Sequence, residues 1–294
     1  MSVLVGFDPV LWGAWRRRDW GGVALRVLVY LLLVSGGFVF ALPALWMLST
    51  ALKPLSEVNT LPPVWIPTRI EWANFTEPFQ EIPFARFYQN TLVITLVSVF
   101  GMLFSCTPVA YAFARLRFRG RNVLFVLVLA TVMLPEHATL VPMYVFFANL
   151  GWINTILPLT VPRFFAVDGF VVFLMRQFFL TLPSELDDAC KIDGGSHWIF
   201  LTRILVPLSM PMYGVIFILY FVGYWNDFFY PLVFLNNMEN YTVALGLRLF
   251  QTRYFVETNT MMAMALLASL PTIALFFIAQ RAFIQGIVLT GVRR

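Results

Sequence analysis

The stretch 92–121 reads LVITLVSVFGMLFSCTPVAYAFARLRFRGR. Its first part, 92–114, holds no Asp, Glu, Lys, Arg or His, and Arg115, Arg117, Arg119 and Arg121 follow at once. A helix that crosses a bilayer needs ~20 consecutive, mostly apolar residues. Hydrocarbon offers no water to backbone N–H and C=O groups, and a helix satisfies them within one segment. The arginines mark the end that stays in the cytoplasm, because short cytoplasmic loops collect Lys and Arg. Working outward, five further stretches fit the same template: 27–48, 123–147, 157–179, 210–235 and 261–283. The pattern predicts an all-α, polytopic membrane protein with six transmembrane helices, a membrane domain over 27–284, and tails at 1–26 and 285–294.

Composition points the same way. Hydrophobic residues make up 60% of the 294 and charged residues 12%, against about 45–50% and about 25% in a soluble domain. The 31 Phe, 9 Trp and 10 Tyr suit lipid-facing surface and interfacial belts. Cys106 and Cys190 form neither a disulfide framework nor a metal set and are expected to be free thiols. His137 and His197 lack companions at ligand spacing, so no zinc site is expected.

The net charge is +5, which in a soluble protein would raise nucleic acid as a partner; here the placement of the charges matters more. With both termini in the cytoplasm, clusters at 16–26, 115–121, 176–203 and 281–294 put 14 of the 20 basic residues inside. Lys53, Arg69, Arg86, Arg163, Arg248 and Arg253 are left outside. The first apolar run is too long for a cleaved signal and reads as a retained span, anchored by Trp12, Trp15 and Trp20 at the interface. Outer loops are expected at 49–88, rich in Pro and Trp, and at 236–260.

The cytoplasmic loop 181–208 carries the strongest functional signal. Ser184 with Asp187 looks like a capping box, and acidic groups in a first turn suit the positive end of a helix dipole. Leu182, Leu186, Ala189 and Ile192 recur at helical spacing as an apolar stripe. Gly194-Gly195 then stops the helix, since glycine enters the left-handed region at low steric cost. Glu185, Asp187, Asp188 and Asp193 would be repelled by anionic headgroups. A protein partner therefore fits this helix better than the inner leaflet does.

These residues resemble the cytoplasmic loop signature of ATP-binding cassette importer permeases: Glu-Ala-Ala, three residues, Gly, nine residues, Ile-x-Leu-Pro. Here Asp188-Ala189-Cys190 stands at Glu-Ala-Ala, Gly194 is the glycine, and Ile204 and Pro207 fall in register. Asp for Glu, Cys for Ala and Val206 for Leu depart from the pattern. Phe173 to Phe179 (FLMRQFF), Trp225-Asn226-Asp227-Phe228 with Pro231, and Gln280 to Gly286 (QRAFIQG) are similar to the shorter, maltose-type inner-membrane subunit of sugar importers. The resemblance runs from about residue 42 to the end.

The resemblance implies the type I importer permease fold in the cell (inner) membrane. It implies a second homologous permease, two cytoplasmic ATP-binding subunits, an extracytoplasmic solute-binding protein and a sugar substrate, with membrane lipid around the chain and no nucleic acid. The ATPase-coupling residues would be Glu185, Leu186, Asp188, Ala189, Cys190, Ile192, Asp193 and Gly194. The sequence contains no Gly-x-x-x-x-Gly-Lys-Ser/Thr phosphate loop. No cofactor is expected on the chain itself, and ATP would be hydrolysed by the partners.

Ionisable groups at membrane depth are costly and mark functional candidates. Glu136 and His137, between Pro135 and Pro142, are candidates for the substrate path, because a kinked helix frees carbonyls that line cavities. Arg163 and Asp168 either pair or line the pore. Trp225, Asn226 and Asp227 form either a structural hydrogen-bond network or part of the path. A carboxylate or amide beside an indole suits a sugar, whose C–H face stacks on rings while its hydroxyls seek acceptors.

Two rivals stay open at this point. An ion-coupled secondary carrier would use Glu136, Asp168 and Asp227 as cation sites, but it has no need of an acidic docking helix. An intramembrane hydrolase or transferase would need a nucleophile–base pair or a metal motif, and none is legible.

Overall fold

The structure is a computed structural model that describes residues 20–252 and 257–291; the side chains at 20, 21, 24, 136, 137, 251, 252 and 280–291 fall outside that description. Trp12 and Trp15, expected as interfacial anchors, also lie outside the described residues. Among the described residues the regular structure is helical throughout. The main elements are α1 (Trp20–Ala51), α2 (Phe84–Arg115), α3 (Arg121–Val132), α4 (Glu136–Asn149), α5 (Gly169–Thr181), α6 (Glu185–Ile192), α7 (Met210–Trp225), α8 (Phe229–Phe234) and α9 (Thr258–Gly291).

Among the described residues, four helices are long and apolar enough to cross a membrane: Leu25–Ala51, Phe84–Arg115, Leu157–Thr181 and Thr258–Ala279. The count is five if His197–Leu208 and α7, bent by 74° at their junction, make one broken span. The uninterrupted helix expected over 123–147 is instead two shorter apolar ones, α3 and α4. Pro135 takes an extended ψ of 125° ahead of Glu136 and has no N–H to continue the ladder. The helix expected over 210–235 stops at Trp225 and restarts at Phe229. Span 2 begins at Phe84, eight residues before the predicted 92, because Phe84 and Phe87 are fully buried and extend the packed face outward.

The centre of the molecule is the pair α2 and α5. Met102, Cys106 and Ala110 of α2 meet Val171, Val172, Met175 and Phe179 of α5 in one buried cluster. Ahead of α5, a short helix Leu157–Thr160 tightens into a 3-10 turn, Val161–Phe165. A Cβ on Gly101 would stand 2.5 Å from the Phe164 ring, so a side chain there would displace the ring where α2 approaches that turn. Such close approach matters in lipid, where helices associate by packing rather than by exclusion from water. By contrast α1 contributes no buried residue across its apolar window; Leu31, Leu32, Leu33 and Val34 all point outward, as a lipid-facing helix requires.

The described residues of the predicted outer loops are tied to the helices by hydrogen bonds. Asn74 Nδ2 donates to the carbonyls of Ala51 and Lys53, each at 2.9 Å, and Asn259 Nδ2 donates to Asn74 Oδ1 at 3.0 Å. This ties the loop after α1 to the start of α9. Lys53, counted from sequence as an outer surface charge, is fully buried with its ammonium 4.0 Å from the Trp46 ring. The second loop is pinned where Val243 N donates to Thr91 Oγ1 at 2.8 Å.

Candidate functional site

Two regions hold the sequence-predicted residues, one at each end of α2. At the arginine end, α6 forms where the loop was expected to be helical, but it does not begin with a capping box. Ser184 has helical backbone angles and its side chain caps nothing. Asp187 is used differently: its carboxylate lies 3.0 Å from Arg115 Nη1, and both side chains are largely buried. Arg115 Nη2 also donates to the carbonyls of Phe179 and Leu182 at 2.7 and 2.8 Å, acceptors at the end of α5, where the helix ladder runs out of N–H partners. Burial pushes the Asp187 carboxyl above the usual carboxylate range, while the Arg115 guanidinium pulls it down.

The apolar stripe divides. Leu182 and Leu186 pack against the α2–α5 cluster, and Cys190 is buried within it. Ala189 and Ile192 face outward, Ile192 at 85% exposure. The exposed residues from the start of α6 to its C-cap are therefore Glu185, Asp188, Ala189, Lys191, Ile192 and Asp193, with Lys191 Nζ 3.5 Å from the Asp188 carboxylate. Leu186 and Cys190, expected among the contacts, instead hold the helix on its own core. A helix with apolar side chains on both faces can be read from its sequence only as one stripe; the tertiary contact decides which side is inward.

The helix ends as the glycines predict. Gly194 has φ of +75°. Its N–H donates to Lys191 O at 3.0 Å, and the N–H of Gly195 donates to Cys190 O at 2.7 Å, the two bonds of a Schellman motif. Gly195 is required too, since a Cβ there would lie 2.8 Å from the Cys190 carbonyl oxygen. The chain then re-enters a helix at His197, with Ser196 Oγ accepting from Ile199 N at 3.3 Å. His197 Nδ1 and Tyr111 Oη of α2 are hydrogen-bonded at 2.8 Å. Arg176 crosses between neighbours as well, with Nε donating to Phe113 O at 3.2 Å and the guanidinium over the Phe125 ring at 4.2 Å.

At the opposite end of α2 lies a cavity of about 220 Å³. Its polar lining includes Arg163, Tyr224, Asp227 and Tyr230, with Ile94 and Leu159 among its apolar walls. The Arg163 guanidinium lies 4.9 Å from the Tyr224 ring centre. Arg163 and Asp168 do not form an ion pair among the described residues; Asp168 instead caps α5, its Oδ1 accepting from Val171 N at 3.0 Å. Asp227 Oδ1 accepts from Tyr230 N at 3.3 Å, capping α8. A guanidinium, a carboxylate and two phenol rings around one cavity can bind a small polyhydroxylated ring by donors, acceptors and stacking together.

The Trp225-Asn226-Asp227 group divides as well. Trp225 is buried, stacks on Phe221 at 5.6 Å and donates from Nε1 to Ala268 O at 2.9 Å; it joins α7 to α9 and does not line the cavity. Asn226 is exposed and bonds back to Val222 O at 2.9 Å. Only Asp227 of the three faces the cavity. The side chains of Glu136 and His137 lie outside the described residues. Sequence reasoning missed Arg115 and Tyr224: neither stands out in a row of arginines or among 10 tyrosines, and their partners are distant in the chain.

Residues 106–288 match the family of binding-protein-dependent transport system inner membrane components. Over 272 residues the chain is 30% identical to the arabinooligosaccharides transport system permease protein AraQ of Bacillus subtilis, covering 91% of this chain and 96% of that protein. It is 29% identical to the sn-glycerol-3-phosphate transport system permease protein UgpE of Agrobacterium fabrum, covering 90% and 96%. Among solved structures it is similar to a bacterial ABC transporter that imports the acidic polysaccharide alginate, with a TM-score of 0.76 at 20% identity, covering 90% of this chain and 98% of that one.

Proposed function

Since this chain belongs to the family of binding-protein-dependent transport system inner membrane components, we propose that it is the membrane-spanning subunit of a carbohydrate importer whose ATPase subunits dock on the exposed face of α6. The observation that carries this reading is the geometry of that helix. It has a glycine stop, a buried anchor, and an outward face bearing Glu185, Asp188, Ala189, Lys191, Ile192 and Asp193. Three carboxylates against the single ammonium of Lys191, around a small apolar centre, fit a basic-rimmed cleft on a protein better than an anionic lipid surface. The named relatives support a sugar or a sugar-like polyol phosphate as the class carried.

In this reading a second homologous permease completes the translocation path and an extracytoplasmic binding protein delivers the solute. ATP-driven closure of the paired ATPases moves α6, and the spans follow. The cavity at Arg163 and Asp227 lies on the solute's route. The ion-coupled alternative would make Asp168 and the cavity residue Asp227 cation sites, yet both accept backbone N–H groups as helix caps, a structural use of the charge.

The chain purified alone is expected neither to hydrolyse ATP nor to accumulate sugar in vesicles. Uptake by the lone chain under a proton or sodium gradient would establish the carrier instead. In the complete complex, Ala189→Trp is expected to leave membrane insertion intact, since no span is touched, and to reduce copurification of the ATPase subunit at least fivefold. Equal recovery of the ATPase with Ala189→Trp and with Asp188→Lys would remove α6 as the docking surface.

The same reading places both termini in the cytoplasm across six crossings. With Cys106 and Cys190 replaced by Ala, an impermeant maleimide applied to intact cells is expected to label Leu61→Cys, where the native side chain is 92% exposed, and Glu239→Cys. Arg119→Cys should react only after permeabilisation. Labelling of Arg119→Cys from outside would reverse the orientation.

A further inference from the structure

We propose that Arg115 and Asp187 form the joint through which motion of α6 is transmitted to the membrane spans, and that Asp187 is a positioning residue for coupling, distinct from the surface that docks the ATPase. The proposal rests on the reading of α6 as the docking helix. A helix that is pushed or pulled by a partner moves the spans only if something stiff connects it to them. Apolar contacts between Leu186 and the α2–α5 cluster resist compression, but they slide and separate under tension. An ion pair at 3.0 Å whose guanidinium is itself held by two backbone carbonyls resists both.

Arg115 reaches all three parts. It ends α2, lies 3.0 Å from Asp187 on α6, and donates to the carbonyls of Phe179 in the last turn of α5 and of Leu182, the C-cap of α5. A displacement of α6 therefore bears at once on the cytoplasmic ends of α2 and α5, the two helices that form the core. The Tyr111–His197 hydrogen bond adds a second tie, between α2 and the far side of the loop. Asp187 points inward beside Leu186, whereas Asp188, at the position the family signature occupies, points out and is 73% exposed. Two adjacent carboxylates thus have separate tasks, one gripping the spans and the other facing the partner.

A buried ion pair is a weak source of net stability but costly to break on one side, which suits a joint more than a staple. Arg115 cannot be replaced by Lys without loss, because an ammonium lacks the planar fork that reaches carboxylate and carbonyls together.

The test uses the complete complex in proteoliposomes with its binding protein, and reads solute imported per ATP hydrolysed alongside ATPase copurification. Asp187→Asn and Arg115→Lys are expected to retain the ATPase subunit at the unmodified level and to keep hydrolysing, with solute moved per ATP falling at least tenfold. Asp187→Glu should recover most of the ratio. A ratio within twofold of the unmodified complex in both Asp187→Asn and Arg115→Lys overturns the joint. So does loss of ATPase copurification in Asp187→Asn, which would make Asp187 part of the docking surface. Ala189→Trp separates the two claims: if it lowers ATPase recovery while Asp187→Asn leaves the ratio unchanged, only the joint fails. If Ala189→Trp also changes nothing, the docking reading has failed.

Discussion

Gly194→Val in the reconstituted complex is expected to reduce solute uptake by an order of magnitude or more while leaving the amount of chain in the membrane unchanged. Gly194 holds φ of +75°, a region that costs an L-residue roughly 1–2 kcal/mol and a β-branched one more. Relieving that strain means giving up the hydrogen bonds from Gly194 N to Lys191 O and from Gly195 N to Cys190 O, and with them the direction in which the chain leaves α6. A shift of one or two kcal/mol is a factor of about 5–30 in the population of the docked geometry. Gly195→Ala should act similarly for a steric reason, because its Cβ would press on the Cys190 carbonyl oxygen at 2.8 Å. The measurements are uptake and binding-protein-stimulated ATP hydrolysis. Unchanged values in both variants would show that the turn does not shape the docking helix.

Replacing Arg163 by Ala is expected to lower uptake by roughly 10- to 100-fold, with basal ATP hydrolysis unaltered. The side chain sits in a membrane-spanning segment, faces the cavity, and has no ion-pair partner among the described residues. A hydrogen bond from a charged donor contributes about 1.5–3 kcal/mol, which is roughly that range of fold-change at about 1.4 kcal/mol per factor of ten. Arg163→Lys should recover only part, since the ammonium cannot keep the flat contact over Tyr224. Asp227→Asn keeps the shape of the cavity and should raise the half-saturating solute concentration in the complex more than it lowers the maximal rate. Full uptake by both Arg163→Ala and Asp227→Asn at limiting solute would place the route elsewhere.

The outcome for α3 and α4 shows where apolar runs mislead. The stretch 123–147 is apolar enough to be one span, and hydropathy alone is blind to the backbone. Pro135 interrupts it because the residue lacks an amide hydrogen, so one expected helix becomes two. The same local chemistry works in the reader's favour at Gly194-Gly195, where two glycines after an acidic amphipathic turn specify both the stop and its left-handed geometry. Signals confined to neighbouring residues, such as the Gly194-Gly195 stop, were legible; Ser184 is the exception, with a helical backbone and a side chain that caps nothing.

What the sequence determined by itself is the solvent and the loop. An excess of apolar residues, runs long enough to cross a bilayer and basic clusters at their ends leave lipid as the only environment that satisfies the chain. The spacing around Asp188 and Gly194 was enough to locate α6 and its stop. Tertiary structure alone decided which face of that helix is free and which grips the core, that Arg115 meets Asp187, and that Arg163 and Asp227 share a cavity while Trp225 is packing. The physical reason is one of range. Hydropathy and backbone propensity act between residues near in the chain, whereas these pairings are made by side chains far apart in it. Which of four clustered arginines finds a carboxylate is settled by how α2 packs on α5, and that packing rests on small shapes such as Gly101 under Phe164.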